Sequence, residues 1–537
     1  MAAACLASVL LLWGCGKESV EKTEEGYKQL TLFSDVEFWN PPDWSLEEGS
    51  ITRDITDETG VVVDVVDAVE DTNRQLSLML VNNQLPDIIS VTDSITQNQL
   101  VSSGKVWKLD ELLKKYEPDS HLLKEFPGDV KYELKKRDGG WYAYPSHMTS
   151  ADNRAIWKSG SAYDEEIVKY GGSLMIMWNK ELLGQLGKTT EDLRTEEQVL
   201  DVLEQAQHCG ITVAGEEMIP LLVDGQNWQE YTVELLRRIF GAEYVDADGN
   251  YIDPMLQPEM KDALKFLNKV MQKGYAQPEQ FTLLNDNIKE LLKTGRVLCF
   301  IGNKANTSID ARDWVTAGTM IPSTGKLSVY GKNVRATTGW INTFISKDCE
   351  HPEAVAKFLD YMTSEEGMLR WYFGEEGVDY VRNAEGMVVR TEEGEKNKSN
   401  YTESGIGAWW MFENTDWNRY MQADPQEESE EAISARQDCI YAKDPHVVVY
   451  DESLLRDLLP QGGDNTEYQK LESEIIEWKK EQVTRVVLAD SGEEFEQEYE
   501  RLIEGLKERQ IDRLDARKNE KYQKACNEYG TRIEKVN

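Results

Sequence analysis

Strand-like runs that alternate with amphipathic helical stretches are what most constrain the fold of this chain. Leu30-Thr31-Leu32-Phe33 is a short apolar run that ends at Ser34-Asp35 and opens into a loop carrying Phe38, Trp39 and Trp44. A second run, Val61 to Val66, precedes the helical segment Asn73 to Val81 and then Leu85-Pro86-Asp87-Ile88-Ile89-Ser90. Strand, helix, strand predicts a parallel sheet flanked by helices. The rhythm returns at Leu174 to Trp178. There Thr195 and Gln198 form a capping box ahead of Val199, Val202, Leu203 and Ala206. Met260, Leu264, Leu267 and Met271 fall on one helical face that Gly274 terminates. Pro352 opens a further helix whose apolar side carries Ala354, Val355, Phe358, Leu359 and Met362.

The last seventy or so residues are charged and helix-favouring. Phe495, Tyr499, Leu502 and Leu506 form a near-heptad row that loses register around Ile511. That is too short for a coiled coil, so these helices are expected to pack on the body of the protein.

The N-terminus speaks to location. Ala2 to Trp13 is uncharged and too short to span a bilayer, and it ends at Gly14-Cys15-Gly16 before a polar stretch from Lys17 to Glu25. This resembles a bacterial lipobox, which implies an export signal over 1–14, a lipidated Cys15 and a tether over 15–26. Trp13 is bulkier than the usual residue two places before the cysteine, and no Lys or Arg precedes the run, which suggests a mis-annotated start codon.

Composition narrows the partners. With 98 acidic against 59 basic residues, the net charge of −39 opposes binding to nucleic acid and to anionic membrane surfaces. The cysteines Cys209, Cys299, Cys349, Cys439 and Cys526 are widely spaced, and neither a CxxC pair nor a His-Cys metal spacing occurs. No Gly-x-Ser-x-Gly elbow, Walker loop or His-Glu-x-x-His motif is found, so neither a catalytic residue nor a cofactor is assigned. Asp246-Ala247-Asp248-Gly249-Asn250 has Tyr251 and Gln257 where a calcium loop needs glycine and glutamate, and it reads as an Asp-Gly hairpin turn.

Several segments together resemble the extracellular solute-binding proteins of carbohydrate ABC importers, in particular the large LplA-like lipoproteins. They are Leu85-Pro86-Asp87-Ile88-Ile89, Gly104 to Leu112, Asp138-Gly139-Gly140-Trp141-Tyr142-Ala143-Tyr144-Pro145 and Met177-Trp178-Asn179-Lys180-Glu181. Lys293-Thr294-Gly295-Arg296-Val297, Ala354 to Gly367 and Glu375 to Tyr380 continue the series. The resemblance implies an α/β, two-lobed periplasmic-binding-protein-like fold of type II, with hinge strands and a helical C-terminal extension. One lobe is expected from 27–145 plus about 338–400, the other from 146–337 plus about 401–464, with 465–537 packed on them. The first crossing is placed near Tyr144-Pro145 and the second near Gly339 to Phe344. The family's calcium loop has no counterpart, because Gly210 to Leu221 lacks the oxygen ligands.

The implied function is capture of a sugar or oligosaccharide and its delivery to ABC permease subunits, by a monomer held outside the membrane by lipid. A peptide-binding importer component and a surface glycan sensor or adhesin are the alternatives. Sugar sites combine aromatic platforms with groups that satisfy hydroxyls, and ligands lie beyond the carboxyl ends of parallel strands. Among the fifteen tryptophans this selects Trp178 first, for it ends its strand, and the aromatic in that place stacks on sugar in maltose-binding relatives. Trp39, Asp93, Asn303, Trp340 and Trp228 follow, with Trp409-Trp410 behind them.

Overall fold

A computed structural model describes residues 26–36, 38–66, 72–161, 163–333, 335–427, 429–456, 458–459 and 465–529. The expected export signal, the lipidated Cys15 and nearly all of the tether lie outside these residues.

The first lobe is built on a five-stranded sheet. In chain order its strands are β1 (Lys28–Ser34), β2 (Val61–Val65), β3 (Ile88–Val91) and β4 (Ala143–Pro145). The second lobe has a four-stranded sheet of β5 (Leu174–Asn179), β6 (Ile219–Val223), β7 (Val297–Asn303) and β8 (Trp314–Val315). A two-stranded parallel ribbon joins β9 (Ser328–Lys332) to β11 (Val447–Asp451), and β10 (Asn342–Ile345) returns to the first sheet. The sheet orders are β2-β1-β3-β10-β4 and β8-β5-β7-β6. The helices used below are α1 (Ile51–Thr59), α2 (Thr72–Asn82), α3 (Ser94–Ser103), α4 (Gly128–Asp138), α5 (Glu196–His208) and α6 (Pro258–Gln272). Then come α7 (Pro352–Thr363), α8 (Glu430–Lys443), α9 (Thr466–Val487), α10 (Gly492–Glu508) and α11 (Ile511–Tyr529).

Local chemistry sets the boundaries. The third strand begins at Ile88 rather than Leu85, because Pro86 has no N–H to give a ladder and the Asp87 carboxylate instead accepts from the Thr31 amide (2.8 Å) and hydroxyl (2.9 Å). The Thr195–Gln198 capping box opens α5, with Gln198 accepting from the Thr195 amide at 3.0 Å and Thr195 from the Gln198 amide at 3.2 Å. The 246–250 stretch is a hairpin turn, in which the Asp246 side chain accepts from the amides of Asp248 and Asn250. Cys299 is a buried core residue whose thiol is pushed well above its ordinary pKa by burial.

Two cores separate the lobes. The first contains Leu30, Leu32, Val63, Ile88, Trp141, Phe358 and Trp371. It also contains Ile406, Ala408, Trp409, Met411, Phe412, Trp417 and Met421, so the 401–421 stretch belongs to the first lobe and not to the second, as its numbering suggested. Its short helices have no sustained apolar period to declare that allegiance. The second core joins α5, α6 and β5 to β7 with residues from all three terminal helices, including Ile475, Val486, Leu502, Leu506, Ile511 and Leu514. The near-heptad row of α10 is thus spent on the second lobe. Its loss of register marks a real break, for Gln510 adopts φ 57 and separates α10 from α11.

The chain passes between the lobes after Trp157, after Lys332 and between Met421 and Glu430. The first crossing thus falls beyond Tyr144-Pro145, and 146–157 belongs to the first lobe and not to the second: Met148 lies in the first core, and Ser150 and Asn153 bond to Asp416 and Asn414. The second crossing is over by Ala336, which lies with Ile341 in the first core, and Asn342 to Phe344 pair with β3 and β4.

Candidate functional site

Strand direction decides which residues reach the space between the lobes. In the first sheet β1, β2 and β3 are parallel, whereas β10 is antiparallel to β3 and β4, with Asn342 opposite both Val91 and Pro145. One edge therefore collects the ends of β1, β3 and β4 and the start of β10, which brings Asp35, Asp93, His147 and Trp340 together. In the second sheet β6 and β7 are parallel, so Asp224 and Asn303 share an edge. The fifth strand runs antiparallel to β7, pairing Leu174 with Asn303 and Trp178 with Cys299.

That pairing overturns the leading expectation. Trp178 lies at the end of the sheet opposite Asn303, roughly 13 Å away along the strand at about 3.3 Å per residue. It is 1% exposed. Both faces of this sheet are covered, Ile176 and Trp178 by one cluster and Met175 and Met177 by another, so neither pleat position opens to solvent. Trp228 is also core, stacked on Phe281 with centroids 4.1 Å apart. Trp39 leaves the mouth for the interior, where its indole N–H donates to the Ala408 carbonyl (2.7 Å) and its ring meets Trp409 edge-on.

Asp93 and Asn303 stand at the two sheet edges and carry structural duties there. The Asp93 carboxylate caps α3 by accepting from the Thr96 amide (2.7 Å). Asn303 accepts from the Ala305 amide (3.1 Å) and donates its own N–H to Asp224 (2.7 Å). Burial raises Asp224 to about 6, against that one backbone N–H, and Glu230 adds to the rise. Asp35 is likewise raised by burial, although the backbone N–H groups of Asp93 and Thr92 pull the other way.

Trp340 is different: it is 43% exposed and belongs to an aromatic group at the first lobe's edge. Phe38, 56% exposed, stacks on it at 6.2 Å with ring planes 13° apart. Trp410 meets both rings edge-on, and Tyr401 leans on Trp410 at 5.5 Å. His147 stands edge-on to Trp340 at 5.5 Å. Its Nε2 lies 2.8 Å from Glu413, and its Nδ1 lies 2.8 Å from the Ser146 hydroxyl. Burial works to raise the Glu413 carboxyl, but the His147 ring and the Asn418 amide (2.8 Å) outweigh it and hold the pKa below the usual carboxylate range. The sequence pointed to Trp340 and gave Trp410 little weight. Tyr401, His147 and Glu413 carried no local pattern that would have singled them out.

The lobes face each other here. The Tyr401 phenol is raised by burial, against the Asn40 backbone, and the second lobe's Asp286 carboxylate adds to the rise. Lys398 is lowered by burial and by Arg390, with Glu431 of α8 among the opposing carboxylates. Among the described residues, no group of three or more His, Cys, Asp or Glu side chains is placed to hold a metal ion. No described helix is long and apolar enough to cross a membrane.

Two α/β lobes, three crossings and an aromatic edge facing a polar one define a hinged binding protein. The family model for bacterial extracellular solute-binding proteins matches residues 43–369, and the chain belongs to that family. Similar solved structures include the S. pneumoniae ABC-transporter substrate-binding protein FusA in complex with kestose, at 17% identity and a TM-score of 0.67, covering 93% of this chain and 100% of that one. A solute-binding protein from Bifidobacterium longum infantis, described as HMO-binding and ABC-transporter-associated, aligns at 13% identity and a TM-score of 0.63 over 93% and 99% of the chains. Alginate-binding protein AlgQ2 without calcium aligns at 14% and 0.61 over the same shares. A comparison with curated proteins gives no match.

Proposed function

We propose that this protein is the substrate-binding lipoprotein of a carbohydrate ABC importer. It captures a sugar or oligosaccharide between the Phe38, Trp340, Trp410 and Tyr401 rings of the first lobe and the Asp224 and Asn303 edge of the second. The observation that carries this reading is the exposed, stacked Phe38–Trp340 pair at the lobe edge. Large aromatic rings left in water on a monomer mark a binding surface, and pyranose and furanose faces fit them. Carboxylate and amide groups opposite would accept and donate to the ring hydroxyls. Contacts to both lobes favour the closed state, which is how ligand drives the hinge. The similar proteins described as bound to kestose, or as HMO- or alginate-binding, support carbohydrate as the ligand class. The protein acts as a monomer without catalytic turnover, tethered outside the cytoplasmic membrane by lipid on Cys15, and passes its cargo to permease subunits.

A thermal-shift screen over neutral, amino and uronic oligosaccharides tests this reading, since a ligand that binds only the folded state raises Tm. At least one should do so, and Trp340→Ala should weaken its binding by about 30-fold, the equivalent of roughly 2 kcal/mol. Stabilisation by peptides but by no saccharide would transfer the site to the peptide class. Retention of a Cys15→Ser variant in the membrane fraction would remove the anchor.

A further inference from the structure

The terminal helix α11 is fixed to the second lobe yet ends on the first. Along its length Asp515 accepts from the Asp253 amide (2.9 Å), Asn519 from the Tyr251 amide (3.0 Å), and Gln523 donates to the Gly249 carbonyl (2.7 Å). Tyr522 is buried against the same hairpin. Its last turn then meets α4 of the first lobe. Lys136 donates to the Tyr529 hydroxyl (2.7 Å), which donates to Glu133 (3.1 Å), and the Lys136 ammonium also lies 4.6 Å from the Tyr529 ring centroid. Glu528 accepts from Tyr132 (3.2 Å) and sits 3.6 Å from Lys136. On the ring's other contact, the Arg335 guanidinium of the second crossing lies 4.3 Å from the centroid.

We infer that this contact is a brace that holds the lobes in the arrangement described above, with the Phe38 and Trp340 rings exposed, and that closure over those rings must break it. The brace is made while, among the described residues, no direct hydrogen bond or ion pair joins the lobes across the aromatic edge. Since α11 moves with the second lobe and α4 with the first, any hinge rotation displaces Tyr529 from Lys136. A hydrogen bond is lost when its partners separate by about 1 Å beyond ideal distance. Breaking the brace in advance therefore raises the closed population and, with it, the apparent affinity. The residues involved lie outside the ligand site, so Lys136 and Glu528 set affinity without touching ligand.

The test needs no ligand. Spin labels carried on unnatural amino acids at Ile95 and Glu290, both exposed and one on each lobe, report the interlobe distance of the full chain by pulsed EPR. Lys136→Glu and Glu528→Lys should each move the closed-to-open ratio about fivefold or more towards closed, a typical coupling between sites. The Lys136→Glu/Glu528→Lys double variant should return most of the way to the parent, and Tyr529→Phe should shift the ratio in the same direction by less. Parent-like distances in both charge variants overturn the proposal. A shift that the double variant fails to reverse overturns it as well, because the effect would then not come from the pair. Both outcomes are independent of whether the cargo is a saccharide.

Discussion

The second lobe's sheet and the first lobe's edge treat the same residue type in opposite ways. Trp178 stands on a strand whose two faces are both covered, whereas Trp340 stands at the first lobe's edge, flanked by Phe38 and Trp410 and still 43% exposed. The neighbours Trp409 and Trp410 repeat the contrast one peptide apart. Trp409 is fully buried against Trp39 and Trp44, and Trp410 turns to Phe38, Trp340 and Tyr401. A tryptophan at a strand end is thus a binding candidate only when strand direction and sheet coverage agree that the end is open.

The sharpest way to break this comparison is to truncate both kinds of ring. Trp178→Ala should cost about 3–5 kcal/mol of stability, the range for a large aromatic lost from a packed core, read by urea denaturation. Trp340→Ala should cost under about 1 kcal/mol, as surface substitutions do, while losing ligand. If Trp340→Ala unfolds earlier than Trp178→Ala, the assignment of core and surface is reversed. Next, Trp409→Ala and Trp410→Ala should divide in the same sense, and equal losses of stability would deny that adjacent rings have separate roles.

Smaller effects sharpen the contrast elsewhere. A methyl at position 505 would stand 2.3 Å from the Trp478 ring in the second lobe's helical layer, and Arg509 covers that ring at 3.8 Å. Gly505→Ala should therefore cost about 1–3 kcal/mol as overpacking, measured by thermal melting. A neutral result would mean that the terminal helices are loosely seated.

The smallest effects are those of pH. Glu413 has a folded pKa below its unfolded value, so its share of stability is present above about pH 4.3 and is lost as pH falls through the folded value. Asp224 has the opposite sign. Its folded pKa of about 6 lies above the unfolded value of about 3.9, so the folded state holds the proton more tightly and stability falls as pH rises through that window. Asp224→Asn should flatten that part of the profile relative to the parent, and Glu413→Gln the more acidic part. A parent-like slope between pH 4 and 6 in Asp224→Asn would mean that this carboxyl is not desolvated.

Much of the fold was legible in local patterns. Capping at Thr195, the helix stop at Gly274, the Asp246 turn and the amphipathic faces all depend on neighbours in sequence, and they were read correctly. The candidate site was less legible because it depends on direction. Leu174 to Trp178 reads the same whether its strand runs with β7 or against it, and only the antiparallel pairing shows that Trp178 points to the far end. His147 and Glu413, 2.8 Å apart, are separated in sequence by a large part of the second lobe, so nothing in either segment announces the other. The 401–421 stretch was placed in the wrong lobe for the same reason.

The presence of Leu502, Leu506, Ile511 and Leu514 in the second lobe's core has a consequence for how the molecule is made. A chain delivered from its N-terminus can complete the first lobe once Met421 has emerged, but the second lobe lacks part of its interior until α11 arrives. Its apolar surface on α6 must wait without a cover through roughly the last hundred residues of the chain, the interval in which unfinished domains are most prone to associate. The terminal helices are therefore the closing step of assembly, and a chain cut before Gly492 would leave a finished first lobe joined to a second that cannot close its core.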